Sequence, residues 1–206
     1  MARPPRRPRK RSSRRPDPVK PRRSAPLVAG LVLALGMAGS AAARGPAEGA
    51  AAVAPAPVVH ELPGGVWLAG QVTPAQLQGL QARGLAAVVA VRPDGEAANQ
   101  PSSAEMARAA HALGMAFDYA PVAPGTMPAD SVAVVGRALA APARPVLVYC
   151  RSGHRAARIW ALAEASRPDG LVAAAIEAAV RSAGQSVDDL DVELRSRVAA
   201  RPVPTH

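Results

Sequence analysis

Two short, uninterrupted apolar runs constrain this chain more than anything else in it: Leu85-Ala86-Ala87-Val88-Val89-Ala90-Val91 and, after Pro145, Val146-Leu147-Val148-Tyr149. Each is too short for a free-standing helix, and neither alternates polar with apolar residues as a half-solvated strand would. Runs of this kind suit strands covered on both faces, the condition of a parallel sheet between helices. The segments around them have helical period. Thr73, with Pro74 and Gln76, makes a capping box that opens one helix, stopped by Gly84; Ser102 with Glu105 opens a second, ending near Gly114. Residues 66–69 and 116–122 read as further strands. Residues 128–141 and 153–166 read as helices, and 168–183 and 187–198 as two amphipathic C-terminal segments. The fold class expected is α/β, a small, mostly parallel central sheet flanked by helices.

A chain of 206 residues suffices for one domain with a real core. Its net charge of +10 suggests nucleic acid until the charge is located. Eleven of the 25 Lys and Arg lie in Met1–Arg23 beside a single acid, Asp17, which leaves 14 charges of each sign elsewhere. A patch that tracks phosphates belongs on a folded surface, whereas this one sits in a Pro-rich arm unable to bury apolar area. No nucleic-acid partner is expected.

Residues 1–24 are read as a disordered basic arm and 25–43 as a signal peptide or membrane anchor. The latter is an uncharged apolar stretch ending in Ala41-Ala42-Ala43, an Ala-x-Ala cleavage site. Either fate exports the domain, to the periplasm or to the outer side of the inner membrane, held by residues 26–43 if they are retained. Arg22-Arg23 is compatible with a twin-arginine route. Residues 44–63 read as a flexible linker, 64–167 as the catalytic domain and 168–206 as a C-terminal helical extension.

The last apolar run ends in the chain's one cysteine, followed at once by Arg151-Ser152-Gly153-His154-Arg155 and a helix. A strand that ends in Cys and turns directly into a helix sets sulfur over backbone N–H groups and the positive end of the helix dipole, which stabilise a thiolate. The same amides bind an anion. Gly153 permits close backbone approach, Ser152 can donate to the sulfur, Arg151 and His154 add positive charge, and Arg155 offers a fork of donors to oxyanions. Ligands of open α/β sheets bind at the carboxyl ends of strands, where Cys150 stands. Arg92 and Asp94 follow the other buried run at the same end, where Arg92 could help bind an anion or pair with Asp94; Asp94 is the better-placed candidate for a general acid, with Asp118 the alternative inside a strand. A single cysteine excludes an internal disulfide, no Cys or His spacing matches a metal site, and no cofactor is expected.

Gly65-Val66-Trp67-Leu68-Ala69-Gly70-Gln71, Val91-Arg92-Pro93-Asp94-Gly95-Glu96 and Tyr149-Cys150-Arg151-Ser152-Gly153-His154-Arg155 with Ile159-Trp160-Ala161-Leu162 resemble the beta-lactamase hydrolase-like family of phosphatase-like domains, over roughly Gly64 to Ala165. The resemblance implies a fold like that of dual-specificity phosphatases, in a family whose members are labelled phosphatase-like or sulfurtransferase. Tyrosine and dual-specificity phosphatases use Cys-x5-Arg, which would require Arg at 156; residue 156 is Ala, and Arg155 gives Cys-x4-Arg, resembling the shorter loop of rhodanese sulfurtransferases. The main expectation is therefore an exported sulfurtransferase that carries a persulfide on Cys150, taking sulfur from a small donor and passing it to a thiol acceptor. The alternatives are a phosphatase with a phosphocysteine intermediate and a non-catalytic anion-binding or redox-sensing module.

Overall fold

Ala87–Ala90 (β3) and Val146–Tyr149 (β5), the cores of the two apolar runs, lie side by side in parallel in the computed structural model, which describes residues 55–202. Val66–Ala69 (β2) pairs in parallel with the other edge of β5, and Ala116–Tyr119 (β4) in parallel with β3. Every residue of β2, β3 and β5 is buried, as their unbroken apolar character predicts, while β4, at the rim, is largely exposed. The order β1-β2-β5-β3-β4 includes one further strand, Val59–Leu62 (β1), antiparallel to β2.

β1 corrects the expected linker 44–63. The tight reversal at Gly64 and Gly65, both at positive φ, folds residues 59–62 back onto β2. A two-glycine turn supplies backbone conformations that side-chain-bearing residues avoid. The basic arm, the apolar segment 25–43 and the first part of the linker lie outside the described residues.

Pro74–Ala82 (α1) and Ser103–Ala112 (α2) cover one face of the sheet, and both begin with the capping boxes that the sequence spells. Leu77, Leu80 and Met106 meet Trp67, Val88 and Leu147 there. Ala129–Ala140 (α3), His154–Ser166 (α4), Ala173–Ser182 (α5) and Asp191–Ala199 (α6), the last preceded by a 3-10 turn at Asp188–Leu190, cover the other face.

The C-terminal segment is part of this second layer. Ile176, Val180, Val187 and Leu194 share one buried cluster with Ile159 and Trp160 of α4. Each such side chain contributes about 1.5–3 kcal/mol by leaving water. α5 starts later than the helical period from residue 168 suggests, because Pro168-Asp169-Gly170 turns the chain first and leaves Val172 exposed. Among the described residues no helix is long and apolar enough to cross a membrane.

Candidate functional site

β5 is the middle strand, so Cys150 emerges at the centre of the sheet's carboxyl edge with 1% of its surface exposed. Strand alternation turns Tyr149 toward the α1/α2 layer and Cys150 toward α4. The turn into α4 is made by Gly153, at φ 89°, whose N–H donates to Cys150 Sγ at 3.2 Å. No side chain caps this helix start. Glycine is favoured there because L side chains rarely adopt this conformation; a Cβ would also come within 3.3 Å of Gln185 Nε2, the movable end of a side chain. The exit of β2 frames the loop from the side. Gln71 N donates to Arg151 O at 3.1 Å, and Gly70 lies so close that a Cβ would stand 3.2 Å from that same oxygen.

Arg155, in the first turn of α4, is held by three hydrogen bonds to two groups. Nη1 donates to Glu96 Oε2 and to Val122 O, both at 2.7 Å, and Nη2 donates to Glu96 Oε1 at 2.8 Å. Glu96 also accepts from Arg92 Nε at 3.0 Å, while Arg92 Nη1 donates to Gln71 Oε1 at 2.9 Å. A buried Arg92 and a nearly buried Arg155 thus share one carboxylate. The Arg155 hydrogen bond, supported by Arg92 and opposed by desolvation, holds the Glu96 carboxyl below the usual carboxylate range. Glu96 in turn holds Arg155 more firmly protonated, against burial, with a further contribution from Cys150.

A guanidinium has five N–H donors, and three of those on Arg155 are engaged, two across its end-on edge to Glu96 and the remaining Nη1–H to Val122 O. The Nε–H and the adjacent second Nη2–H, its side-on fork, donate to no oxygen among the described residues, and the Cys150 side chain is the group that acts on Arg155 from the loop. Glu96 therefore orients Arg155 without filling the edge that an oxyanion would take.

Asp94 is engaged by α2. Its carboxylate accepts from Ser103 N at 2.7 Å and Ser103 Oγ at 2.6 Å, at the start of α2 on the other layer. Asp118 stands level with Val89 and Val148 in the strand register, two strands and roughly 10 Å across the sheet from β5. Tyr149 is kept neutral by burial first and by the charge of Asp94 second. Arg151 and Ser152 are exposed on the loop. His154 lies with Arg155, Arg158, Asp189 and Thr126 around a cleft of about 230 Å³, while Ser152 and Gly153 border a second, of about 270 Å³, with His60, Gly70 and Gln185. Among the described residues no group of three His, Cys, Asp or Glu side chains is placed to hold a metal ion.

Sequence reasoning assigned no role to Glu96, Gln185 or Asp189. Arg92 and Glu96, four residues apart around the Pro93-Asp94-Gly95 turn, were the available signal for the first. Nothing local marks the other two, which arrive from beyond α5.

A buried cysteine at the centre of a parallel sheet, a loop closing over its sulfur and an arginine at the start of the following helix define a cysteine-phosphatase-like α/β domain. The family model described as "Beta-lactamase hydrolase-like protein, phosphatase-like domain" matches residues 61–167, and the chain belongs to that family. Beta-lactamase hydrolase-like proteins from Xylella fastidiosa (strain Temecula1) and Agrobacterium fabrum are each 33% identical to it, over 97 and 98 residues. Those matches take in 47% and 48% of this chain but only 22% and 23% of the relatives, so the likeness spans less than a quarter of their length.

Among solved structures, a candidate phosphatase from Neisseria meningitidis superposes with a TM-score of 0.53 at 25% identity, covering 64% of this chain and 92% of that one. The core catalytic domain of the PP-IP phosphatase SIW14 from S. cerevisiae gives 0.51 at 13% identity, covering 71% and 87%, a likeness of fold alone.

Proposed function

We propose that the domain is a cysteine-dependent phosphatase working through a phosphocysteine on Cys150. The observation that carries this reading is the pairing of a sulfur seated under the Gly153 N–H with an Arg155 whose side-on fork is left open by Glu96. The family's phosphatase-like character and the phosphatases among its fold neighbours support it over the sulfur transfer expected from the Cys-x4-Arg spacing.

In the first step the Cys150 thiolate attacks phosphorus, an S–P bond forms, and the P–O bond to the leaving alcohol breaks with its electron pair. Arg155 and the loop amides hold the non-bridging oxygens, where charge accumulates. In the second step water attacks the phosphocysteine, inorganic phosphate departs, and the thiolate returns. Glu96 serves as a positioning residue for Arg155. With the Asp94 carboxylate engaged by Ser103 and Asp118 two strands across the sheet, this reading favours esters of acidic alcohols, whose leaving groups need little help; general-acid assistance is otherwise worth roughly 10²–10⁴-fold.

The test is release of phosphate from an aryl phosphate by wild type and Cys150→Ser, with intact-mass measurement after thiosulfate. Release that depends on Cys150 supports the phosphatase. Gain of one sulfur on wild type alone, without release, establishes the persulfide carrier that the shorter loop suggests. Anion binding with neither activity leaves the sensing module. Export remains our proposal from residues 25–43, and N-terminal sequencing of the mature protein tests it: a start at Arg44 supports cleavage.

A further inference from the structure

Two arginines, one helical turn apart on α4, flank the cleft beside the loop. Arg155 is clamped by Glu96 from the β3–α2 connection. Arg158 is clamped just as closely, its Nη1 and Nη2 donating to Asp189 Oδ1 and Oδ2 at 2.6 and 2.8 Å. Residues three apart on a helix are neighbours, and both arginines line the same cleft of about 230 Å³, together with His154, Thr126 and Asp189 itself. The two clamps differ in origin and exposure. Glu96 lies within the segment that matches the family and is mostly buried, whereas Asp189 belongs to the 3-10 turn beyond that segment and is 64% exposed.

We infer that Asp189 is a specificity-determining residue: by cancelling the charge of Arg158 at the mouth of the cleft, it selects monophosphates of neutral alcohols or phenols and disfavours substrates with a second anionic group beside the reacting phosphoryl. This inference rests on the phosphatase reading for the site at which the selection acts. A second phosphate bound near Arg158 would have to approach the Asp189 carboxylate, and like charges at that range disfavour binding. With the carboxylate gone, Arg158 offers an unpaired guanidinium a helical turn from the one that holds the reacting group. Arg151, exposed on the loop with no carboxylate partner among the described residues, adds its charge equally in both cases.

The experiment measures, on the full chain carrying Cys150→Ser, the affinities for inorganic phosphate and pyrophosphate by calorimetry, in the Asp189, Asp189→Ala and Asp189→Asn forms. In parallel, kcat/KM for an aryl monophosphate and for a sugar bisphosphate is measured on the corresponding proteins with Cys150 intact. The expected result is a pyrophosphate affinity about tenfold tighter in both Asp189 variants, the scale of one added charge-assisted hydrogen bond, with phosphate affinity changed less than twofold and the kcat/KM ratio moving the same way. Arg158→Gln is expected to erase the gain when combined with Asp189→Ala.

An unchanged pyrophosphate-to-phosphate ratio overturns the inference, as does equal weakening of both ligands or a gain that persists without Arg158. If aryl phosphate is still cleaved in a Cys150-dependent way in those cases, the phosphatase reading stands and only the role of Asp189 falls. Binding of neither anion by any form sinks both.

Discussion

The two ends of α4 are finished in opposite ways. At its C-terminal end one side chain, Arg201, closes the last turn: Nε donates to Ala165 O at 2.8 Å, Nη2 to Glu164 O at 2.9 Å and Leu171 O at 2.7 Å, and Nη1 to Gly170 O at 2.7 Å. The Glu164 carboxylate adds a bond from Leu171 N at 3.0 Å. Carbonyls that a helix leaves orphaned are satisfied there from within the chain. At the N-terminal end no side chain caps the helix, and the Gly153 N–H turns to the sulfur of Cys150. One end is completed by side chains of the fold, and the other is left without a side-chain cap beside the sulfur. Changes at the first should therefore register as lost stability, and changes at the second as lost chemistry.

The sharpest test of that division is Cys150→Ser, expected to lower aryl-phosphate turnover by roughly 10⁴-fold or more while the urea midpoint stays within error of wild type. A midpoint that falls with the activity would mean the cysteine is a packing residue. Glu96→Gln comes next. It loosens the grip on Arg155, and a displacement of about an ångström can cost 10²-fold in rate, so kcat is expected to drop by about that factor with KM changed much less. Loss confined to KM would assign Glu96 to binding instead.

Arg201→Ala tests the opposite end. It removes four hydrogen bonds from buried or half-buried carbonyls, and about 2–3 kcal/mol of stability is expected to go, seen by urea unfolding, with kcat per folded molecule unchanged. Gly170→Ala should follow it at about 1–3 kcal/mol, since a Cβ there collides with the carbonyl oxygen of Glu164.

The smallest effect is in pH. Glu96 has a lowered pKa in the folded protein, chiefly through Arg155. The stability it contributes is fully present above the unfolded value of about 4.3 and is lost as pH falls through the lower, folded value. Wild type should therefore lose more stability than Glu96→Gln between about pH 6 and pH 3; equal acid sensitivity would show that the carboxylate does not support the fold.

The same contrast explains what could be read from the sequence. The C-cap of α4 was invisible, because Arg201 is 36 residues from Ala165 and no local pattern announces so distant a bond. The loop was visible, because strand, cysteine, glycine and arginine are contiguous and each is needed for a local reason. The capping boxes of α1 and α2 were legible for that same reason, and so were the buried strands.

Roles that depend on which loops converge were not legible. Asp94 stands at the right end of the sheet but is taken up by Ser103, and the carboxylate that does meet Arg155 is two residues further on. β1 was hidden in composition. Residues 44–63 are mostly Ala, Pro and Gly, and among those described the four at 59–62 pair with β2, across two glycines.

The position of β5 in the sheet has a consequence for how the domain assembles. The strand made last is inserted between β2 and β3, both made long before it. Until residues 146–149 arrive, the inner edges of those two strands lack their native partner, a state open to pairing with other chains. Closing contacts so far apart in sequence is slow. The step that ends this exposure also brings Cys150 to the carboxyl edge of the sheet, so a chain that stalls short of it has neither a sealed sheet nor its cysteine in place. The proposed Cys150-dependent activity would thus double as a readout of completed folding.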